Sequence, residues 1–478
     1  MKNIFVFLIV AILTLFVMNG CKDRTSLTAP PPPSPKSGNV NLSRVVTLGN
    51  SLTAGFQSGA LFESAQKYSF GNLLAEQMGV KYVQPLVSDP GIGGRIVVKS
   101  LSPFVLTTQP SSGTLTNAAY PAPYNNLGVP GARVYDILNA TNSKNCFTAI
   151  YANSPNPMFD LVLRGQGSAF DQTKALKPTF VTVWVGNNDI LGYAGMGGTV
   201  AYTPTQTFAF LFSTLMDSLA TLHSEFGTNV VVGNIPDIEA IPFFTTVGPQ
   251  VAMGTPWTAL KIPGLVYQKN GDKSIGNGVA DSAQLLTGKV LLTLPGASYA
   301  ALLGKPTGKF YRDYHYPALP PGIDTTKPFG FDPRNPWPDA LILDPGELST
   351  VNSIVNNYNQ TISATASAHG FGVVDFYSFF NSIRAHDFTG GTYFDGVKFT
   401  TTYVQGGLFG LDGVHPTDQG YAIIANEFIK VINSKYKANI PLIDVSTIPG
   451  SIYFAKRTTS KLALPYFTPG SFNDLLFY

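Results

Sequence analysis

Ser51, Asp412 and His415 are of the types, and partly at the spacing, that acyl-transfer chemistry needs. A serine hydroxyl is a weak nucleophile until an imidazole takes its proton, and a carboxylate on the far ring nitrogen fixes the tautomer that can do so. Asp412 and His415 lie three residues apart in Asp-Gly-Val-His-Pro, a spacing that lets the carboxylate reach Nδ1. The chain has five histidines, at 223, 315, 369, 386 and 415, and His415 alone has Asp three before it and Pro one after. Two further blocks, Gly128-Val129-Pro130-Gly131 and Gly186-Asn187-Asn188-Asp189, hold the residue types of an oxyanion site, a Gly amide and an Asn side chain. Taken singly, each block also reads as local structure: Ser51 as a helix N-cap, Gly-Asn-Asn-Asp as a turn, His415 as a surface residue. Their order, and the strand ends they occupy, favour a site.

Those strand ends come from four apolar, β-branched runs that read as buried parallel strands: Val45–Leu48, Phe180–Val185, Asn229–Val232 and Gly372–Asp375. Ser51 directly follows the first and Gly186 the second. Helical periodicity predicts helices over 208–226, with Phe208, Leu211, Phe212, Leu215, Leu219 and Leu222 on one face, and over 348–369. A last helix is expected over 417–434, with Pro416-Thr417 as its start signal. Strands alternating with helices give a doubly wound α/β class, whose ligands sit at the carboxyl ends of strands. Two stretches, 83–125 and 240–340, break the rhythm with Pro, Gly and aromatic residues, and read as long excursions of the lid or binding-wall kind.

Only 12% of residues are charged and the formal net charge is +3, with no Lys/Arg cluster, so nucleic acid is not an expected partner. The chain opens with Lys2, an apolar run from Ile4 to Val17, and Gly20-Cys21. That is a signal peptide over 1–20, too short for a comfortable membrane span. Cys21 after a small residue resembles a bacterial lipobox, and Lys22-Asp23 resembles the surface-export signal of Bacteroidetes lipoproteins. Lipidation at Cys21 would leave Cys146 as the remaining thiol, read as buried and inert. The stretch 21–40, centred on Ala29-Pro30-Pro31-Pro32-Pro33-Ser34-Pro35, is a semi-rigid stalk of about 3 Å per residue. The globular domain is expected over 41–436, with residues 437–478 packed back on it as an extended tail. Asp313, His315, Asp344 and Glu347 match no metal-ligand spacing and read as solvated loop residues.

Taken together, the blocks resemble the SGNH (GDSL) hydrolases, a family of esterases and lipases, over about residues 44–434. The resemblance implies a flavodoxin-like three-layer α/β/α sandwich on a parallel sheet, with no metal and no cofactor. By motif it makes Ser51 the nucleophile, His415 the general base and Asp412 its partner. Gly131 would supply an oxyanion amide and Asn188 an oxyanion side chain. The insertions at 83–125 and 240–340 have no counterpart in small members of the family. One departure stands out: the family's Gly-Asp-Ser-Leu is here Gly-Asn-Ser-Leu, so Asn50 keeps the shape and one acceptor but removes a negative charge beside Ser51.

The expected activity is ester hydrolysis through an acyl-enzyme, outside the cytoplasm and anchored to a membrane by the lipid on Cys21. The ester is either a lipid or an acylated carbohydrate. The aromatics of 240–340 (Ile241-Pro242-Phe243-Phe244, Trp257, Leu265-Val266-Tyr267) would wall an acyl pocket, stack on sugar rings, or simply be core. The alternative is a non-catalytic surface lipoprotein that binds glycan or lipid on the same scaffold.

Overall fold

The computed structural model describes residues 35–101, 104–269, 278–450 and 464–467. The expected signal peptide, Cys21 and the stalk up to residue 34 lie outside the described residues. Five parallel strands form the central sheet: β1 (Val45–Gly49), β2 (Asn126–Gly128), β3 (Phe180–Trp184), β4 (Asn229–Gly233) and β5 (Gly372–Val374). Their order across the sheet is β5-β4-β3-β1-β2, the flavodoxin-like arrangement, whose direction of winding switches between β1 and β3. Four strands are those expected from the apolar runs. The fifth, β2, is three residues of Asn-Leu-Gly, too short and too polar to announce itself by composition.

Successive strand residues face opposite layers, and the two layers are separately filled. Val46, Leu48, Val181, Val183, Val230 and Val232 point to one core. Val45, Phe180, Trp184 and Val231 point to the other. The first face is covered by α4 (Thr205–Phe226) and α5 (Pro345–Ala368), the second by α2 (Phe70–Met78) and α6 (Asp418–Tyr436), which makes three layers. Two shorter helices, α1 (Ser51–Ala54) and α3 (Asn188–Gly195), leave the ends of β1 and β3. On the first face Phe208 stacks on Tyr358 with centroids 3.7 Å apart. On the second, Phe428 stacks on Phe70 at 4.8 Å and meets Trp184 edge-on at 6.3 Å.

The segment 83–125 contains an antiparallel hairpin, Ile96–Leu101 against Phe104–Thr108. The segment 240–340 contains short helices, a pair of three-residue strands (Leu265–Tyr267 and Gly278–Ala280) and the two-residue strand Leu291–Leu292, which pairs with Ile342–Leu343 just beyond it. Most of its aromatic residues are core: Phe243, Phe244, Tyr267 and Trp337 are buried, with Leu265, in the same cluster as α4 and α5. The reading of Asp344 and Glu347 as solvated loop residues is corrected. Both are buried, and they form the capping box that starts α5. Asp344 Oδ1 accepts from the amides of Gly346 (2.7 Å) and Glu347 (2.9 Å), while Glu347 Oε2 accepts from the Asp344 amide (2.8 Å). Among the described residues no group of three His, Cys, Asp or Glu could hold a metal.

Cys146 is free and buried. Beyond α6 the chain runs extended, and two α6 asparagines hold it by paired amide–peptide bonds. Asn426 Oδ1 and Nδ2 bond the N–H (2.7 Å) and carbonyl (2.9 Å) of Ile443, and Asn433 does the same for Ile440 at 2.8 and 2.9 Å. No helix among the described residues is long and apolar enough to cross a membrane.

Because Phe428 joins α2, β3 and α6, replacing it empties the middle of the second face. Phe428→Ala should lower the unfolding free energy by about 3–5 kcal/mol, read from the midpoint of a denaturant titration.

Candidate active site

Ser51 is the first residue of α1, directly after the carboxyl end of β1. Gly49, the last residue of β1, has no room for a side chain: a Cβ there would sit 2.4 Å from the Trp184 carbonyl oxygen on β3. Asn50 caps α1, its Oδ1 accepting from the Leu52 amide at 3.1 Å. Its Nδ2 donates to Asn187 Oδ1 at 3.1 Å, across to the end of β3. An aspartate at this position would keep the cap and could accept from a turned-over Asn187 amide instead, so what the departure from Gly-Asp-Ser-Leu changes is the direction of this bond and the loss of a charge beside Ser51. With only four residues, α1 has little macrodipole, and any oxyanion help from it must come from individual first-turn amides.

The three chemistry-bearing residues converge. His415 Nε2 lies 2.9 Å from Ser51 Oγ, and His415 Nδ1 lies 3.1 Å from Asp412 Oδ2. Relative exposures are 8% for Ser51, 2% for His415 and 0% for Asp412, so water reaches the serine end of the relay and not the acid end. Asp412 Oδ1 accepts from the amides of Val414 and His415, both at 2.8 Å, and Oδ2 accepts from the Gly59 amide at 2.9 Å. Burial alone would push the Asp412 carboxyl up, but the His415 charge and these hydrogen bonds together hold it below the usual carboxylate range. The Phe56 ring packs against the His415 ring at 4.8 Å and fixes its plane.

The oxyanion candidates are placed differently. Val129–Ala132 form a turn closed by Ala132 N–H donating to the Val129 carbonyl at 3.0 Å, with Pro130 and Gly131 at its centre. Gly131 has φ +83°, the left-handed value a type II turn requires at that position and that glycine adopts without strain. Asn188 Nδ2 donates one hydrogen to the Ala132 carbonyl at 3.0 Å, which leaves its second hydrogen uncommitted by that bond. Asn188 lines the cavity beside Ser51 and His415; Gly131 is not among the lining residues. Asn187 lines it as well, a position that the Gly-Asn-Asn-Asp motif does not distinguish from its neighbour.

Asp189 braces this arrangement from behind. Its carboxylate accepts from the Val134 amide at 3.0 Å and the Thr203 hydroxyl at 2.7 Å, joining the Gly131 turn to α3. Burial pushes Asp189 up to about 6, against the pull of the Arg133 charge and its hydrogen bonds. Nearby Asp136 accepts from the Arg133 and Phe147 amides, and burial still raises it to about 7. Phe56 against His415, Gly59 on Asp412 and Asp189 on Val134 carried no sequence signal, since they act through contacts distant along the chain.

The cavity at Ser51 measures about 50 Å³. Apart from the polar residues named, its walls are apolar and include Leu52, Trp184, Ile190, Leu191, Ile235 and Ile238. Of the aromatic and aliphatic residues singled out in 240–340, Ile241 alone is on this wall.

The family model of GDSL-like lipases and acylhydrolases matches residues 45–281 and 302–428, most of the chain. The chain belongs to that family. This GDSL hydrolase is also similar to the crystal structure of LAE5, an alpha/beta hydrolase enzyme from the metagenome of Lake Arreo, Spain. The identity is 12% and the TM-score 0.33, over 82% of this chain and 95% of the other, a likeness too distant to carry any argument. No curated protein sequence matches the chain.

The raised carboxyls of Asp136 and Asp189 are among those that make the stability of the GDSL hydrolase depend on pH. Each holds its proton more tightly folded than unfolded, so the folded chain binds more protons between about pH 4 and 7, and stability falls as pH rises through that window. Asp136→Asn, which cannot ionise, should flatten the decline in thermal midpoint from pH 5 to 8. An undiminished slope would mean that other groups set it.

Proposed function

We propose that this GDSL hydrolase is a serine esterase for short acyl groups, held outside the cytoplasm by a lipid on Cys21. The relay Ser51–His415–Asp412, with contacts of 2.9 and 3.1 Å, carries the reading of the chemistry. Ser51 Oγ attacks the ester carbonyl carbon while His415 Nε2 takes the hydroxyl proton. The carbonyl oxygen becomes an oxyanion, held by the second N–H of Asn188 and by backbone amides, to which Gly131 is assigned by its place in the motif. The bond from carbonyl carbon to alcohol oxygen then breaks, and His415 returns the proton to the departing alcohol. Water repeats the sequence through the same imidazole, releasing the acid and restoring Ser51. Asp412 stays ionised throughout and stabilises the imidazolium.

The cavity supports the acyl size. About 50 Å³ accommodates a few water-sized spheres, enough for an acetyl or propionyl group. Further methylenes would press on Trp184 and Ile235, which already belong to packed core, and overpacking of that kind costs about 1–3 kcal/mol. The lipid anchor is supported by Lys2, the apolar run Ile4–Val17, Gly20-Cys21 and the Pro-rich stretch that follows.

Full-length protein in detergent should hydrolyse p-nitrophenyl acetate with a higher kcat/KM than the palmitate ester, and Ser51→Ala should lower kcat roughly ten-thousandfold. A palmitate optimum would overturn the acyl assignment. Failure to label with a fluorophosphonate would remove the serine nucleophile and leave a binding protein.

The anchor has its own check. Cys21→Ala should shift the protein from the membrane to the soluble fraction of cells and abolish incorporation of labelled palmitate.

A further inference from the structure

Phe409 borders two cavities at once. One is the small apolar cavity at Ser51 and His415; the other, of about 450 Å³, falls within the range of small-molecule sites. The larger cavity is built from segments distant along the chain: the turn at Gln57 and Ser58 with nearby Phe62, the first insertion from Arg95 to Val98, Val404 with the residues on either side of His415, and Pro449-Gly450. Its wall shares a frame with the relay. Ser58 Oγ accepts from the Leu411 amide at 3.0 Å, and the next residue, Gly59, donates to Asp412.

The chemistry of this wall differs from that of the small cavity. Beside apolar side chains such as Phe62, Ile96, Val98 and Val404, it carries the Gln57 amide, the Ser58 hydroxyl, the Arg95 guanidinium and the Asp418 carboxyl, while the Thr417 hydroxyl is taken up by the Gly407 carbonyl at 2.7 Å and the Gly420 amide at 3.0 Å. With its amide turned over, Gln57 donates to Asp418 Oδ1 at 3.3 Å and accepts from the Asp418 N–H at 3.2 Å. Arg95 Cζ lies over the Phe62 ring, 3.7 Å from its centroid, with one N–H on Asp89 at 2.9 Å. Burial pushes the Asp418 carboxyl up to about 7, against the Gln57 hydrogen bond and the charges of Arg95 and Lys67. Near neutral pH it can therefore serve as donor or acceptor. A hydroxyl-rich molecule finds partners of both kinds here, whereas an alkyl chain would strip water from charged groups without replacing their hydrogen bonds.

We propose that this second cavity receives the alcohol half of the ester, and that the alcohol is a polyol of the sugar type. The inference rests on the acyl-transfer reading of Ser51. With the acyl group in the small apolar cavity, the alcohol oxygen leaves past Phe409 toward the polar hollow. The insertion at 83–125 would then be what fits this sandwich to a carbohydrate ester.

The experiment pairs an O-acetylated xylo-oligosaccharide with p-nitrophenyl acetate, on the full-length protein and on Asp418→Asn and Arg95→Gln. The ratio of kcat/KM for the sugar ester to that for the aryl ester should fall at least tenfold in each variant, mainly through KM. Ratios within twofold of the parent would overturn the assignment, including the case in which both activities drop together. Calorimetry with the deacetylated oligosaccharide gives a second arm independent of turnover: saturable binding to Ser51→Ala, lost when Asp418→Asn is added. If the parent protein hydrolyses neither ester, the acyl-transfer reading fails and this arm alone decides. Binding that depends on Asp418 would then keep the cavity as a polyol site, and absence of binding would remove it.

Discussion

Asp412 carries a negative charge where water does not reach, and much of the site is shaped by making that charge tolerable. Moving a carboxylate out of water costs several kcal/mol even after a protein relaxes around it. Here the cost is offset by three backbone N–H groups and one imidazole. Two of the amides come from the loop of Asp412 itself, which must curl tightly enough to present Val414 and His415. The third comes from Gly59, more than three hundred residues earlier, so the turn after α1 has to arrive at the same point. Because Ser51 opens α1 and Gly59 follows it, the constraint that settles the acid also brings the serine to the imidazole.

The sheet explains why these segments can meet. In an open sheet wound in both directions, the loops after the two central strands diverge and leave a crevice between them. β1 delivers Asn50 and Ser51 to one side of it, and β3 delivers Asn187 and Asn188 to the other. The bond from Asn50 Nδ2 to Asn187 Oδ1 spans the gap. Asp189 then fastens the far side to the Gly131 turn, through Val134 and Thr203.

Sequence reading was informative where a residue's role is local. Buried parallel strands must be apolar on both faces, which made β1, β3, β4 and β5 visible; the short, polar β2 was not. The long helices α4 and α5 showed themselves by periodicity, and α6 by its start signal Pro416-Thr417. Asp-Gly-Val-His-Pro exposed its pair because the contact spans three residues. The capping box of Asp344 and Glu347 was equally local, written as Asp-Pro-Gly-Glu, but it was passed over because the surrounding segment looked like loop. Phe56 against His415, Gly59 on Asp412 and Phe409 between two cavities depend on distant parts of the chain meeting, and no spacing encodes them. The same holds for 240–340, whose two- and three-residue strands are stable only against the core they join.

Trp184 has a double allegiance. Its ring lines the cavity at Ser51, yet it also stacks on Phe376 at 4.2 Å and donates its indole N–H to the Asn234 carbonyl at 2.9 Å. The floor of the crevice is thus also the keystone of the second core. A lineage drifting toward bulkier substrates could not carve into that floor by single substitutions without passing through unstable intermediates. Its accessible path runs instead through Ile241, which also lines the cavity but is only half-buried, just past the short 3-10 turn Ile238–Ala240. Divergence in substrate preference among descendants of this protein should be written there, while the tryptophan stays.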